Sequence, residues 1–167
     1  MKYFILFIVS SACISLNAQT KNENLNEQLN TLKTAFMEKD YSVLADYTFP
    51  KLVEKMGGKE KMVETTLNAT KKMESQGFIF KKITFTDASS FMEHNGDLQC
   101  SITQVLEMDT PSGKVQSKTS TIAISQDGGE NWVFLDTSGM PRSSIETFYD
   151  NLHPDLEIKQ GEKKLLD

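Results

Sequence analysis

The chain has little of what most catalytic and metal centres are built from. Its 167 residues contain two cysteines, two histidines and one tryptophan. His94, His153 and a cysteine show no recognisable ligand spacing, so no metal site and no other cofactor is expected. Arg142 is the sole arginine, and any bidentate clamp on phosphate or carboxylate would have to come from that residue alone. A long apolar run is missing too. The stretch from Tyr3 to Val9 is far shorter than the roughly 20 residues that a membrane-spanning helix needs, and nothing later supplies such a run. No transmembrane segment is expected.

The short run has a meaning of its own. Lys2, the apolar stretch, the small residues behind it and the change of character at Gln19 follow the order of a secretory signal peptide in residues 1–18. Cleavage near Ala18 would release the chain to the periplasm or the exterior. Ser10-Ser11-Ala12-Cys13 supplies a rival reading, because it loosely resembles a bacterial lipoprotein box that would anchor the chain by lipid at Cys13. The usual leucine three residues before the cysteine is absent. Loss of the leader takes the basic side chains from 18 to 17 against 23 acidic ones, a formal charge of −6. A mildly acidic surface argues against nucleic acid as a partner. Cys100 is then the only cysteine left, which excludes an internal disulfide. The remaining length suits one domain over residues 19–156, with 157–167 as a loose, flexible tail.

Helical periodicity opens that domain. Leu25, Leu29, Leu32 and Phe36 form one apolar stripe behind a Thr20-to-Glu23 capping box. Asp40 is placed to cap a shorter helix carrying Val43, Leu44 and Tyr47, which should end near Phe49 because Pro50 disfavours helical geometry before it. Gly57-Gly58 breaks the chain, and Lys59 to Gln76 reads as a longer helix closed by Gly77. From Phe78 onward the period becomes two. The segments 78–86, 90–93, 97–108, 114–125 and 131–137 alternate and are separated by turn residues, among them Asn95-Gly96 and Asp127-Gly128-Gly129. Ser143 and Glu146 announce a last short helix with Ile145, Phe148, Tyr149 and Leu152 on one face. The sum is an α+β fold in which N-terminal helices cover one face of a curved, cone-like antiparallel sheet, followed by a short C-terminal helix.

This order of elements resembles the ketosteroid-isomerase-like α+β cone superfamily, which includes the SnoaL-like and nuclear-transport-factor-like proteins, over residues 22–140. Tyr47-Thr48-Phe49-Pro50, the string from Met56 to Lys61, Leu98-Gln99-Cys100 and the string from Asn131 to Gly139 resemble a group of exported bacterial proteins. The resemblance implies an apolar pocket at the mouth of the cone, and in some members a carboxylate base there. It carries no individual catalytic residue onto this chain.

Five side chains are singled out by position. Asp136 alternates in phase with Trp132 and Phe134, which sets a carboxylate on an aromatic face where it would serve as a general base. Its other reading is a strand end that caps the following turn. Gln104 is the polar member of the apolar phase of its strand, placed to orient a ligand or to bond a neighbouring helix. Cys100 shares that phase and reads as a small core residue. Tyr47 stands by the Pro50 corner, placed either to point its hydroxyl into a pocket or to pack in the core as part of an amphipathic helix. Tyr47, Cys100, Gln104 and Trp132 are thus the expected pocket lining. Ser125 to Trp132 fits the Asp-box pattern of sialidase-like propellers, with Asn131 where threonine is usual. One copy and one arginine exclude that enzyme class and leave a structural turn. The sequence therefore points to an exported, non-enzymatic module that binds a small apolar molecule or a protein partner, with a homodimer through the sheet as one arrangement. The alternative is an isomerase, dehydratase or cyclase with Asp136 as base and Tyr47 or Gln104 polarising a carbonyl.

Overall fold

A computed structural model gives the fold over residues 9–138 and 140–166, with side chains described from residue 21. The export signal and the alternative anchor at Cys13 rest on residues 1–18 and lie outside the described side chains. The first helix, α1 (Val9–Glu38), buries Leu25, Leu29 and Leu32. It runs straight through Thr20, so the capping box expected there has no helix start to serve. Asp40 caps α2 (Tyr41–Asp46) as expected, its Oδ1 accepting the Val43 N–H at 3.1 Å. Pro50 does more than end a helix: it occupies the first turn of α3 (Pro50–Lys55), where its missing N–H costs nothing. Gly57 and Gly58, both at φ +93°, turn the chain into α4 (Lys59–Ser75).

The sheet is antiparallel and open. Its spine is the long hairpin of β3 (Asp97–Thr110) and β4 (Gly113–Ser125), paired from Leu98–Ser125 to Thr110–Gly113. Each outer edge of this hairpin carries two strands end to end. β1 (Ile79–Thr86) and β2 (Met92–His94) share the edge of β3, while β5 (Val133–Asp136) and β6 (Glu162–Leu166) share the edge of β4. The turn between β2 and β3 places Asn95 at φ +46° and Gly96 at φ +88°, the left-handed pair that a two-residue hairpin demands.

The strand β6 corrects the expectation of a loose tail. β5 pairs only with Thr121 to Ile124, which would leave Lys114 to Lys118 as an open edge. Residues 162–166 close it, from Lys118–Glu162 to Lys114–Leu166, and an edge that is paired no longer offers unsatisfied backbone groups.

Both faces of the sheet are buried at one end. On the helix side, Leu25, Leu29 and Leu32 meet Leu98, Cys100, Ile102, Ala123, Trp132 and Phe134. On the opposite side, Ile122, Ile124 and Leu135 meet Phe49, Ile145, Tyr149, Leu152 and Leu156. Cover on one face only was expected, and the second core is the correction. Its cause is visible in β4, where Ser120 to Ser125 are all buried; such a stretch needs cover on both faces. That cover is α5 (Arg142–Phe148) and the strap behind it, residues 149–158. Pro141, not Ser143, stands at the start of α5 with no side-chain cap. Arg142 ties helix to strap, donating from Nη1 to the Leu156 carbonyl at 2.9 Å and from Nη2 to the His153 carbonyl at 2.6 Å. A homodimer through this face would have to displace the strap.

Candidate functional site

A groove of about 480 Å³ runs between α1 and the β4–β5 turn. Its walls are fixed by side chains on the flank of α1 next to the leucine stripe. Asn24 Nδ2 donates to the Gly129 carbonyl at 3.0 Å. Gln28 bonds in both directions, its Nε2 donating to the Glu130 carbonyl at 2.8 Å and its Oε1 accepting the Trp132 N–H at 2.8 Å. Gly129 permits this approach: at φ +102°, a Cβ there would lie 2.6 Å from Lys21 Cγ, closer than any packing tolerates.

The turn that forms the far wall is built by Asp127. Its Oδ1 accepts from Ser125 Oγ at 2.8 Å, Glu130 N at 3.1 Å and Asn131 N at 2.9 Å, and its Oδ2 from Asn131 Nδ2 at 2.7 Å. Trp132 Nε1 donates to the Gly129 carbonyl at 3.2 Å while its ring stacks on Phe91 at 5.5 Å. This is the structural turn that the Asp-box pattern implies. Desolvation opposes ionisation of Asp127, but the hydrogen bonds from Asn131, Ser125 and Glu130 outweigh it and hold the carboxyl down to about 2. A depressed carboxyl contributes stability that is complete above its unfolded value, about 3.9, and is lost as pH falls through about 2. Asp127→Ala is expected to cost about 1–2 kcal/mol at neutral pH. The gap between variant and wild type should close in acid, as read from urea midpoints at several pH values.

The groove is polar. Glu27 of α1, Asp46 of α2 and Glu130 of the turn line it together with Thr31, Tyr47 and Asn131, and no basic side chain is among its lining residues. Asp46 is ion-paired to Lys59. No group of His, Cys, Asp and Glu that could hold a metal occurs among the described residues. The arrangement offers charge and hydrogen bonds, without a nucleophile beside a base.

The residues expected from the sequence are dispersed. Tyr47 and Trp132 both border the groove, but Trp132 is only 1% exposed and packs into the helix-side core. Cys100 lies fully inside the helix-side core, and burial pushes its thiol up to about 12, which removes it as a nucleophile. Gln104 is buried, accepting from Thr121 Oγ1 at 3.1 Å and donating to Asp136 Oδ2 at 3.4 Å. Asp136 is exposed, and its Oδ1 accepts from Ser138 N at 2.8 Å and Ser138 Oγ at 2.6 Å. It therefore caps the turn after β5, and the desolvated aromatic face required of a general base is not its environment. Gln104 and Asp136 touch each other, but neither lines the groove.

Two sets of residues escaped the sequence reading. Asn24, Gln28 and Thr31 repeat at i, i+4 and i+7, one position ahead of Leu25, Leu29 and Leu32, so the polar wall was written in the same helical period as the core. The second set lies under the strap, where Asp97 is 7% exposed and its Oδ2 accepts from Tyr149 Oη at 2.7 Å and Asn151 Nδ2 at 2.9 Å. Burial, then the bond to Asp97, pushes the Tyr149 phenol well above its usual range. Comparison with protein-family models, curated proteins and solved structures returns no match for the chain.

Proposed function

We propose that the chain is an exported, non-catalytic binding domain that takes a polar, positively charged small molecule in the groove between α1 and the β4–β5 turn. The observation that carries this reading is the composition of the groove: three carboxylates from three separate elements, of which Asp46 is ion-paired to Lys59, with its walls fixed by Gln28 and no basic lining residue. It differs from the apolar ligand expected from the sequence; the apolar side chains around Cys100 and Ile102 pack into the helix-side core. The isomerase-type alternative rests on Asp136, and the capping role of that carboxylate on an exposed strand end favours binding over catalysis. Membership of the cone superfamily is supported by the order of helices and strands.

The test uses a linear diamine as probe and the chain beginning at Gln19. Calorimetry should show saturable binding that weakens at least tenfold, about 1.4 kcal/mol, when Glu27→Gln and Glu130→Gln are combined, and that falls with added salt. Binding indifferent to both changes, or no binding, rejects the groove. Export has its own readout. N-terminal sequencing of the natural product should begin at Gln19, whereas a fatty-acid label on Cys13 selects the lipid-anchored form.

A further inference from the structure

The strap is fastened to the sheet through Asn151. The side-chain amide of Asn151 donates to Asp97 Oδ2 at 2.9 Å and to the His94 carbonyl at 3.1 Å, and its own backbone carbonyl accepts from Gln99 Nε2 at 2.7 Å. Its Oδ1 accepts from Asn95 Nδ2 at 2.8 Å. Asn95 belongs to the exposed two-residue turn between β2 and β3 and is followed directly by Gly96. We propose that Asn95-Gly96 is a site of spontaneous deamidation and that conversion of Asn95 releases Asn151 and loosens the strap.

The step needs only water. The Gly96 backbone nitrogen attacks Asn95 Cγ, a C–N bond closes a five-membered succinimide ring, and the side-chain nitrogen leaves as ammonia, carrying the proton that the Gly96 amide gives up. Water then opens the ring at either carbonyl, giving an aspartyl or an isoaspartyl residue. Gly96 has no side chain to obstruct the attack, and even a Cβ built there would meet nothing within 4 Å, so the turn stands open to solvent. The other acidic or amide residue followed by glycine in a hairpin turn, Asp127-Gly128, is protected. Its carboxyl stays ionised, and four donors occupy its oxygens, which makes it a poor electrophile.

The products do not fit the latch. In the aspartyl form an oxygen replaces the amide that Asn95 presents to Asn151 Oδ1, so two acceptors face each other. The new charge also stands two residues from the buried Asp97. The isoaspartyl form adds a carbon to the main chain inside a turn that the His94–Asp97 pair closes with two residues, and no two-residue hairpin accommodates that.

The experiment is to hold the full mature chain in warm, mildly alkaline buffer and map its peptides over time. Asn95 should gain about one mass unit ahead of the other described asparagines. In the converted fraction, separated by ion exchange, amide hydrogen exchange across residues 149–156 should rise several-fold. Asn95→Asp should reproduce that rise, and Asn95→Gln, which would need a less favourable six-membered ring, should remain unmodified. If the aspartate variant fails to fold, the aged wild-type fraction gives the same readout. Conversion of other asparagines while Asn95 stays intact overturns the site, and conversion without a change in strap exchange overturns the latch.

Discussion

Replacing Trp132 with alanine is expected to remove about 3–5 kcal/mol of stability, the range for deleting a large buried aromatic side chain. Trp132 is among the largest fully buried side chains, at 1% exposure. Its loss strips the stacking partner of Phe91 and the donor to the Gly129 carbonyl, and opens the floor on which α1 and the β4–β5 turn meet. Against a total of about 5–15 kcal/mol for an ordinary domain, such a loss leaves little reserve. The chain has no other tryptophan, so circular dichroism in urea is the suitable probe. Trp132→Phe keeps most of the packing and forfeits the indole hydrogen bond, and should cost about 1–2 kcal/mol. Similar midpoints for the alanine variant and the wild type would mean that the turn is not anchored in the core.

Removing residues 149–167 is expected to abolish cooperative unfolding. The deletion takes Tyr149, Leu152 and Leu156, all buried on the strap side of the sheet, and each is worth about 1.5–3 kcal/mol in burial alone. It also takes away Tyr149 and Asn151, the two donors to Asp97 Oδ2, and leaves that largely buried carboxyl with Gln126 Nε2 at 3.3 Å as its side-chain donor. Together these losses approach the whole stability of a domain this size. Near-ultraviolet circular dichroism should vanish while some far-ultraviolet signal stays. Ending the chain after Ile158 removes only β6 and the segment before it, and that product should still unfold in one transition. A fully cooperative product ending at Phe148 would show that the second core is dispensable.

Much of the fold was legible because local chemistry and tertiary demand agree. The leucine stripe of α1, the Asp40 cap, the Asn95-Gly96 turn and the phase of Leu98, Cys100 and Ile102 all keep their expected roles. The misreadings share one cause, which is that long-range pairing does not show in periodicity. Nothing local to Glu162–Leu166 says that β5 is too short to cover β4. Tyr149 and Leu152 were read as helix because their spacing fits one, whereas α5 stops at Phe148 and they are buried in the strap. Of the site, Tyr47 was found through its place at the Pro50 corner, and Trp132 through the Asp-box segment and the strand phase it shares with Asp136. Gln28 was missed because a glutamine on a helix flank looks like ordinary surface until the turn from Gly129 to Trp132 is folded against it.

The second core sets an order on synthesis as well as on structure. Ile122, Ile124 and Leu135 are made before Ile145, Tyr149, Leu152 and Leu156, which cover them. A domain folds as a unit, so during translation this one has no complete native state to reach. Until residues 145–156 have been made, the face that carries Ile122, Ile124 and Leu135 has, of the buried residues that cover it, only Phe49 from the preceding chain.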